Sequence, residues 1–176
     1  MPLTRSRRLG VAAVALGAAF VLFHGQLAAA VVTRGDDALR AGDVAAALRY
    51  YERATQLDPA SAVAADRLAF HLALRHDRTG ARQAIAVATR TLVAAGDDSA
   101  LLADRAFAEL ALRRWHDAEG DFARAGALAH DARFHHFAGR MALRSGDRGG
   151  ARRYAMLALA DDPGFAPAHA LLRSLR

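Results

Sequence analysis

Small and apolar residues recur at helical spacing between Arg40 and Pro59, in the stretch RAGDVAAALRYYERATQLDP. Gly-Asp stands near the start of this stretch and Asp-Pro closes it. The residue before a proline avoids the helical region, so the Asp-Pro pair predicts a helix end. The pattern therefore predicts one short amphipathic helix. A helix of this length cannot bury its apolar face alone, so a partner helix is needed.

The same pattern returns three times further along the chain, at intervals of about 34 residues. Gly-Asp and Asp-Pro bracket the last occurrence as they bracket the first. The positions of Val44, Ala47 and Tyr51 are repeated, in chain order, by Ala81, Ala84 and Ala88, by Trp115, Ala118 and Phe122, and by Arg148, Ala151 and Ala155. The chain is therefore predicted to contain four copies of one unit.

A second helical segment precedes each copy and supplies the partner helix. These segments cover residues 28–41, 62–75, 99–113 and 132–144. Each carries a small residue where the two helices of a pair must approach closely, namely Gly35, Ala69, Ala106 and Gly139. Three or more such pairs must stack to close a continuous core, and four are present. Alanine, leucine and arginine dominate the composition and favour helix, so the predicted class is all-α.

These segments resemble the tetratricopeptide repeat (TPR), a helix–turn–helix unit of about 34 residues. LRAGDVAAALRYYERATQLDP and LRSGDRGGARRYAMLALADDP carry the resemblance most clearly. It implies an α-solenoid with repeats at residues 28–61, 62–98, 99–131 and 132–165 and a capping helix at 166–176. The second repeat has extra residues near 76–80. The third lacks the glycine of its internal turn and has His130 in place of the closing proline.

An uncharged, mostly apolar stretch from Leu9 to Thr33 precedes the repeats, and three of the 24 arginines lie before it. The stretch is long enough to cross a bilayer core of ~30 Å. The positive-inside rule then places residues 1–8 in the cytoplasm and the repeats outside. The interpretation is a transmembrane or signal-anchor helix at residues 9–33. A signal peptide cleaved after Ala28-Ala29-Ala30 is the alternative. Both interpretations export the repeats.

The formal net charge is +6, and all 24 basic residues are arginine. The basic residues outside the N-terminal segment are interspersed with 18 acidic residues, which is not the dense patch typical of nucleic-acid binding. The chain has no cysteine. Disulfides, thiolate metal sites and cysteine nucleophiles are therefore excluded.

In the TPR family the first helix of each repeat lines an inner groove. Mapping its positions gives a hypothetical peptide-binding groove with an apolar floor and a basic end, made of Phe70, Leu74, Phe107, Leu110, Arg133, His136, Arg140 and Arg144. Such a groove suits a peptide with apolar anchors and carboxylates, because arginine forks bind carboxylates bidentately. The alternative is that the phenylalanines fill gaps between repeats and the arginines form a solvated face. The clamp that holds chaperone tails in this family uses Lys and Asn, which this chain lacks.

No catalytic or metal-binding motif stands out in the sequence. His130, His135 and His136 cluster, but without an HExxH frame. The Asp97-Asp98 and Asp161-Asp162 pairs follow second helices and are interpreted as helix stops. We therefore expect no catalytic residue, no metal and no cofactor.

The predicted function is that of a non-enzymatic adaptor or assembly factor. The TPR domain would be held at the outer face of a bacterial inner membrane, where it binds a peptide segment or subunit of an envelope or membrane complex. One alternative is a stable accessory subunit of such a complex. Another is a cleaved, soluble periplasmic binding or chaperone-like protein. The expected contacts are a protein partner and the bilayer through residues 9–33, with no nucleic acid.

Overall fold

The computed structural model describes residues 5–176, with side chains described from Leu22 onward. This part of the chain contains nine α-helices and no strand, which confirms the all-α prediction. The helices are α1 (Arg5–Arg40), α2 (Val44–Leu57), α3 (Ala62–Ala73), α4 (Arg78–Ala95), α5 (Ser99–Ala111), α6 (Trp115–Ala129), α7 (Ala132–Arg144), α8 (Arg148–Asp161) and α9 (Ala166–Ser174).

The described residues up to Ala64 form one compact unit, in which α1 and α2 pack as an antiparallel pair. The ring of Tyr51 lies so close to Gly35 that a Cβ there would overlap it. The Tyr51 hydroxyl donates a hydrogen bond of 2.7 Å to Asp36. The first turn of α2 is closed by Asp43, whose carboxylate accepts from the amide of Ala46 at 2.8 Å. Gly35 thus has the role predicted for it, which is close approach within a helix pair.

Residues 65–176 form a second compact unit. From α4 to α9, each helix packs against the next one in the chain, and α7 also contacts α9. The core is built mostly from alanines, with Leu101, Leu102 and Phe122 as its largest fully buried side chains. A Cβ on Gly139 would lie 3.2 Å from the carbonyl oxygen of Ala151 and 3.3 Å from Cβ of Tyr154, both on the paired helix α8. Small residues therefore set the helix spacing here too, as the pattern predicted.

The turns inside the helix pairs share a backbone feature that the sequence shows only in part. Gly42 and Gly146 have φ values of 83° and 89°, a region that glycine enters without steric cost. His76 and Arg113 occupy the equivalent turns with φ values of 54° and 59°. His130 ends α6 in the same left-handed region, with φ of 49°. The degenerate repeats therefore keep the turn geometry without the glycine.

The C-terminal helix α9 covers one end of the second unit. Leu171 and Leu175 are buried in a cluster with Ala151, Ala155 and Ala158 of α8. Pro167 lies in the first turn of α9, where its missing N–H costs nothing.

The N-terminal assignments fall largely on residues that the structure does not describe in full. Residues 1–4 lie outside the described chain, as do the side chains of residues 5–21, so most of the predicted cytoplasmic segment and of the membrane or signal segment is outside it. Helix α1 runs from Arg5 to Arg40 without interruption. Within the described part, none of the helices is both long and apolar enough to span a membrane.

Candidate functional site

A pocket of about 510 Å³ opens between α3 and α5 in the second unit. Its walls contain all four apolar residues of the predicted groove, together with two alanines, a histidine and an aspartate. The lining residues are Phe70, Ala73, Leu74, His76, Asp104, Phe107, Leu110 and Ala111. The structure therefore brings the predicted apolar floor together in one place.

The apolar walls of the pocket are partly exposed to solvent. Phe70, Leu74 and Phe107 are 48%, 49% and 42% exposed. The ring of Phe107 also packs edge-on against Phe122 and Phe137, at centroid distances of 5.0 and 5.5 Å. Phe122 is fully buried. The pocket wall is thus preformed on a rigid base while one side of the ring stays open to a ligand.

Asp104, at the wall of the pocket, was not among the predicted site residues. It is only 8% exposed, and its Oδ2 atom has no hydrogen-bond partner among the described residues. Burial, together with the charge and hydrogen bond of Asp66 and the charge of Asp98, raises the pKa of Asp104 to about 8. An aspartate inside an Ala- and Leu-rich helix was the only signal available in the sequence.

Asp66 of α3 is the hydrogen-bonded neighbour of Asp104. Two carboxyl groups can share a hydrogen bond only if one of them carries a proton. Burial raises the pKa of Asp66, while the adjacent guanidinium of Arg67, 3.3 Å from its Oδ2, lowers it. The proton therefore resides mainly on Asp104 near neutral pH.

The predicted basic end does not assemble as the apolar floor does. Arg133 is hydrogen-bonded through Nε and a terminal nitrogen to Asp131, at 3.0 and 2.6 Å. This contact is the main cause of the lowered pKa of Asp131. Arg144 stacks over the ring of Trp115, with its guanidinium carbon 5.0 Å from the ring centroid. Both arginines thus have partners within the chain.

His136 and Arg140 instead line a separate pocket of about 370 Å³ against α9, with Leu143, Pro167, Ala170, Leu171 and Ser174. Arg140 has no carboxylate partner among the side chains that the structure describes. Burial lowers the pKa of His136, and the charge of Arg140 lowers it further. The Nδ1 atom of His136 is buried without a hydrogen-bond partner in the described chain.

Polar contacts, among them one between His135 and Asp161 that the sequence analysis singled out, also connect neighbouring helices. His135 is buried, and its Nδ1 lies 2.7 Å from a carboxylate oxygen of Asp161. Arg105 of α5 binds Asp121 of α6 through two hydrogen bonds, of 2.5 and 2.7 Å. Within the described residues, no three His, Asp or Glu side chains are arranged to hold a metal ion.

Comparison with known proteins agrees with this architecture. Residues 28–61 match the tetratricopeptide repeat family model. No curated protein sequence matches the chain.

Several solved structures have a similar fold at low sequence identity. One is the MamA protein, with 18% identity and a TM-score of 0.73 over 86% of this chain and 81% of that one. Another is a tetratricopeptide repeat protein from Parabacteroides merdae, with 17% identity and a TM-score of 0.67 over 86% of this chain and 60% of that one. A third is the Cut9–Hcn1 hetero-tetramer of the APC/C, with 18% identity, a TM-score of 0.62, and coverage of 82% and 29%.

At these identities the likeness concerns the fold alone. Proteins of this fold generally act as non-catalytic scaffolds that bind other proteins, and the fold does not by itself name the partner. The matched repeat at residues 28–61 and the likeness to the solved structures together support a tetratricopeptide repeat fold for this chain.

Proposed function

We propose that this chain is a non-enzymatic adaptor or assembly factor that binds a segment of a partner protein in the pocket between α3 and α5. The observation that carries the proposal is the half-exposed apolar wall formed by Phe70, Leu74, Phe107 and Leu110. Apolar side chains that line a concave site are the usual anchors of protein recognition. The pocket is large enough for one or two side chains of a partner, not for a folded domain.

We further propose that the N-terminal segment holds the repeats at the outer face of a bacterial inner membrane. The support is the uncharged stretch from Leu9 to Thr33 behind Arg5, Arg7 and Arg8. Helix α1 continues from this stretch into the pair with α2 without a linker. Such a mount would keep the repeats close to a partner in an envelope or membrane complex and raise its effective concentration.

Two related functions share the same pocket and differ in how the chain is held. A stable accessory subunit would keep the pocket permanently filled by a neighbour. A cleaved, soluble periplasmic binding or chaperone-like protein would lack the N-terminal segment. Residues 28–30 have the small-residue pattern that such cleavage requires.

A photo-crosslinking experiment in cells tests the binding proposal. A photoreactive amino acid in place of Phe70 should crosslink to one defined protein. The matched control is the same amino acid in place of Val93, which is 83% exposed and does not line the pocket. Equal crosslinking from both positions, or none from position 70, would show that the pocket is not a binding site.

The membrane proposal has its own test. The N-terminus of the protein purified from membranes should be the intact one, and the protein should resist extraction by carbonate. A reporter enzyme fused after Arg176 that works only in the periplasm should be active. A mature N-terminus near Val31 would favour the soluble alternative, and an inactive reporter would exclude both exported forms.

A further inference from the structure

The wall of the apolar pocket holds a carboxyl group with no cation beside it. Asp104 lines the pocket and is only 8% exposed. Its Oδ2 atom accepts no hydrogen bond from the described residues. Burying a polar oxygen without a donor costs on the order of 1–3 kcal/mol. Oδ2 has almost no accessible surface, so a ligand recovers that cost when the Asp104 side chain rotates and presents the carboxyl group to a donor in the pocket.

The charged groups around Asp104 do not neutralise it. Asp66 and Asp98 are both acidic, and Arg67 is paired with Asp66. His71 lies near Asp66, and His76 also lines the pocket. The site is therefore locally acidic on a chain whose net charge is +6. Charge complementarity points to a cationic ligand.

We propose that the pocket binds a partner segment in which an apolar side chain is next to a lysine or arginine. The apolar side chain fills the space between Phe70 and Phe107, and the cation pairs with Asp104. This inference rests on the proposed function, and it names the ligand class that the same pocket would accept. It differs from the acidic ligand expected from the arginines of α7.

Binding of a cation must displace the proton that Asp104 holds near neutral pH, because its pKa is raised to about 8 by burial and by Asp66. The affinity for a cationic ligand should therefore increase as pH rises towards that pKa and then level off. One bound proton released corresponds to at most about tenfold per pH unit. A neutral ligand with the same apolar side chain should show no such trend.

Four short peptides with acetylated and amidated ends provide the probe. They share a Gly-Ser frame and carry Leu-Lys, Leu-Gln, Leu-Glu or Ser-Lys at the centre. Binding to the full chain in detergent is followed by the methyl NMR signals of Leu74 and Leu110, between about pH 6 and about pH 9. We expect Leu-Lys to bind at least fivefold more tightly than Leu-Glu at the high end of this range, and Ser-Lys to bind weakly.

Two variants assign the preference to its source. Asp104→Asn keeps a hydrogen-bonding group of the same size, and it should remove both the preference for Leu-Lys over Leu-Glu and the pH trend. Asp37→Asn, on an exposed carboxylate of α1 that does not line this pocket, is the matched control and should leave both unchanged. Retained folding of each variant is checked by its helical circular dichroism.

Equal binding of the Leu-Lys, Leu-Gln and Leu-Glu peptides would overturn the inference while leaving the adaptor function in place. Absence of binding by all four peptides would also overturn it. The crosslinking experiment at position 70 decides the adaptor function separately, since it does not depend on the charge of the ligand.

Discussion

The second unit contains two regions that the sequence assigned to one groove and that the structure arranges differently. In the first, α3 and α5 bring four predicted apolar residues into one pocket. In the second, α7 carries four basic residues spaced along one helical face, and they separate into three different environments. Arg133 binds Asp131, Arg144 stacks on Trp115, and only His136 and Arg140 share a pocket.

The difference lies in how each kind of side chain can be satisfied locally. An arginine is long and flexible and can reach a carboxylate or an aromatic ring in a neighbouring turn. A phenylalanine at a groove position has no such option unless another apolar side chain covers it. Phe107 has such a contact on one side only. A half-exposed aromatic wall therefore indicates a binding site more strongly than a row of arginines does.

The first prediction concerns the acidic group that distinguishes the apolar region. The pKa of Asp104 is about 8 in the folded chain, against an ordinary value of 3.8. Between these values the unfolded chain is deprotonated while the folded chain keeps its proton. Stability should therefore fall as pH rises from about 4 to about 8, by at most about 1.4 kcal/mol per pH unit from this group. Above that range its contribution should be constant.

Urea denaturation of the wild type and of Asp104→Asn over this pH range measures the effect. The variant should lose this part of the dependence of stability on pH, so that its stability relative to the wild type improves with increasing pH.

Glu109 has a pKa raised to about 7 by burial and adds a pH dependence of the same sign, but it is present in both proteins. Asp37→Asn, on an exposed carboxylate of α1, is the control and should leave the slope unchanged. Parallel curves for the wild type and Asp104→Asn would contradict the prediction.

The second prediction tests whether the apolar wall binds. Phe70→Ser should weaken binding of the Leu-Lys peptide by more than about tenfold, because an apolar anchor at the centre of a site contributes about 2 kcal/mol. Phe70 is half exposed, so the fold should lose little stability. The matched control Val93→Ser removes an apolar side chain that is more exposed and outside the pocket. A similar loss of affinity in both variants would remove the distinction between the pocket and the general surface.

Sequence patterning predicted the helices well because their ends are encoded locally. Asp43 and Asp147 cap α2 and α8 with hydrogen bonds to amides three residues on, and both stand beside the glycine that marks the turn. The family match at residues 28–61 covers the repeat in which this pattern is clearest.

The candidate site could be predicted only in part, since periodicity assigns a residue to a helical face but not to its neighbours. It placed Phe70 and Phe107 at the same repeat position, and both line one pocket. It could not show that Asp131, a helix cap, would bind Arg133, or that Trp115 would lie beneath Arg144. The burial of Asp104 depends on α3, which is distant in sequence, and no local pattern shows it.

The third prediction separates the arginines of α7. A Leu-containing peptide with a free terminal carboxylate should bind about threefold more weakly to Arg140→Gln, since an exposed charge pair contributes about 0.5–1 kcal/mol. Arg133→Gln and Arg144→Gln should change its affinity by less than about 1.5-fold, because both side chains already have partners. Chemical shifts of the Leu143 methyl groups report the binding. Equal losses of affinity in all three variants would contradict the prediction and would support the continuous basic face expected from the sequence.

The last and smallest effect concerns the turns that end the two regions. The turn after α5 passes through Arg113, with φ of 59°, whereas the turn after α7 passes through Gly146, with φ of 89°. A non-glycine residue in this left-handed conformation destabilises the fold by about 1–2 kcal/mol. Replacing it by glycine removes this strain, but part of the stabilisation is lost because glycine gives the unfolded chain more conformational freedom. Arg113→Gly should therefore stabilise the protein by about 0.5–1 kcal/mol in urea denaturation. Gly146→Ala should destabilise it by about 1 kcal/mol, although a Cβ there would meet no other atom within 4 Å. If Arg113→Gly were instead destabilising, the contacts of the arginine side chain would stabilise this turn by more than the backbone strain destabilises it.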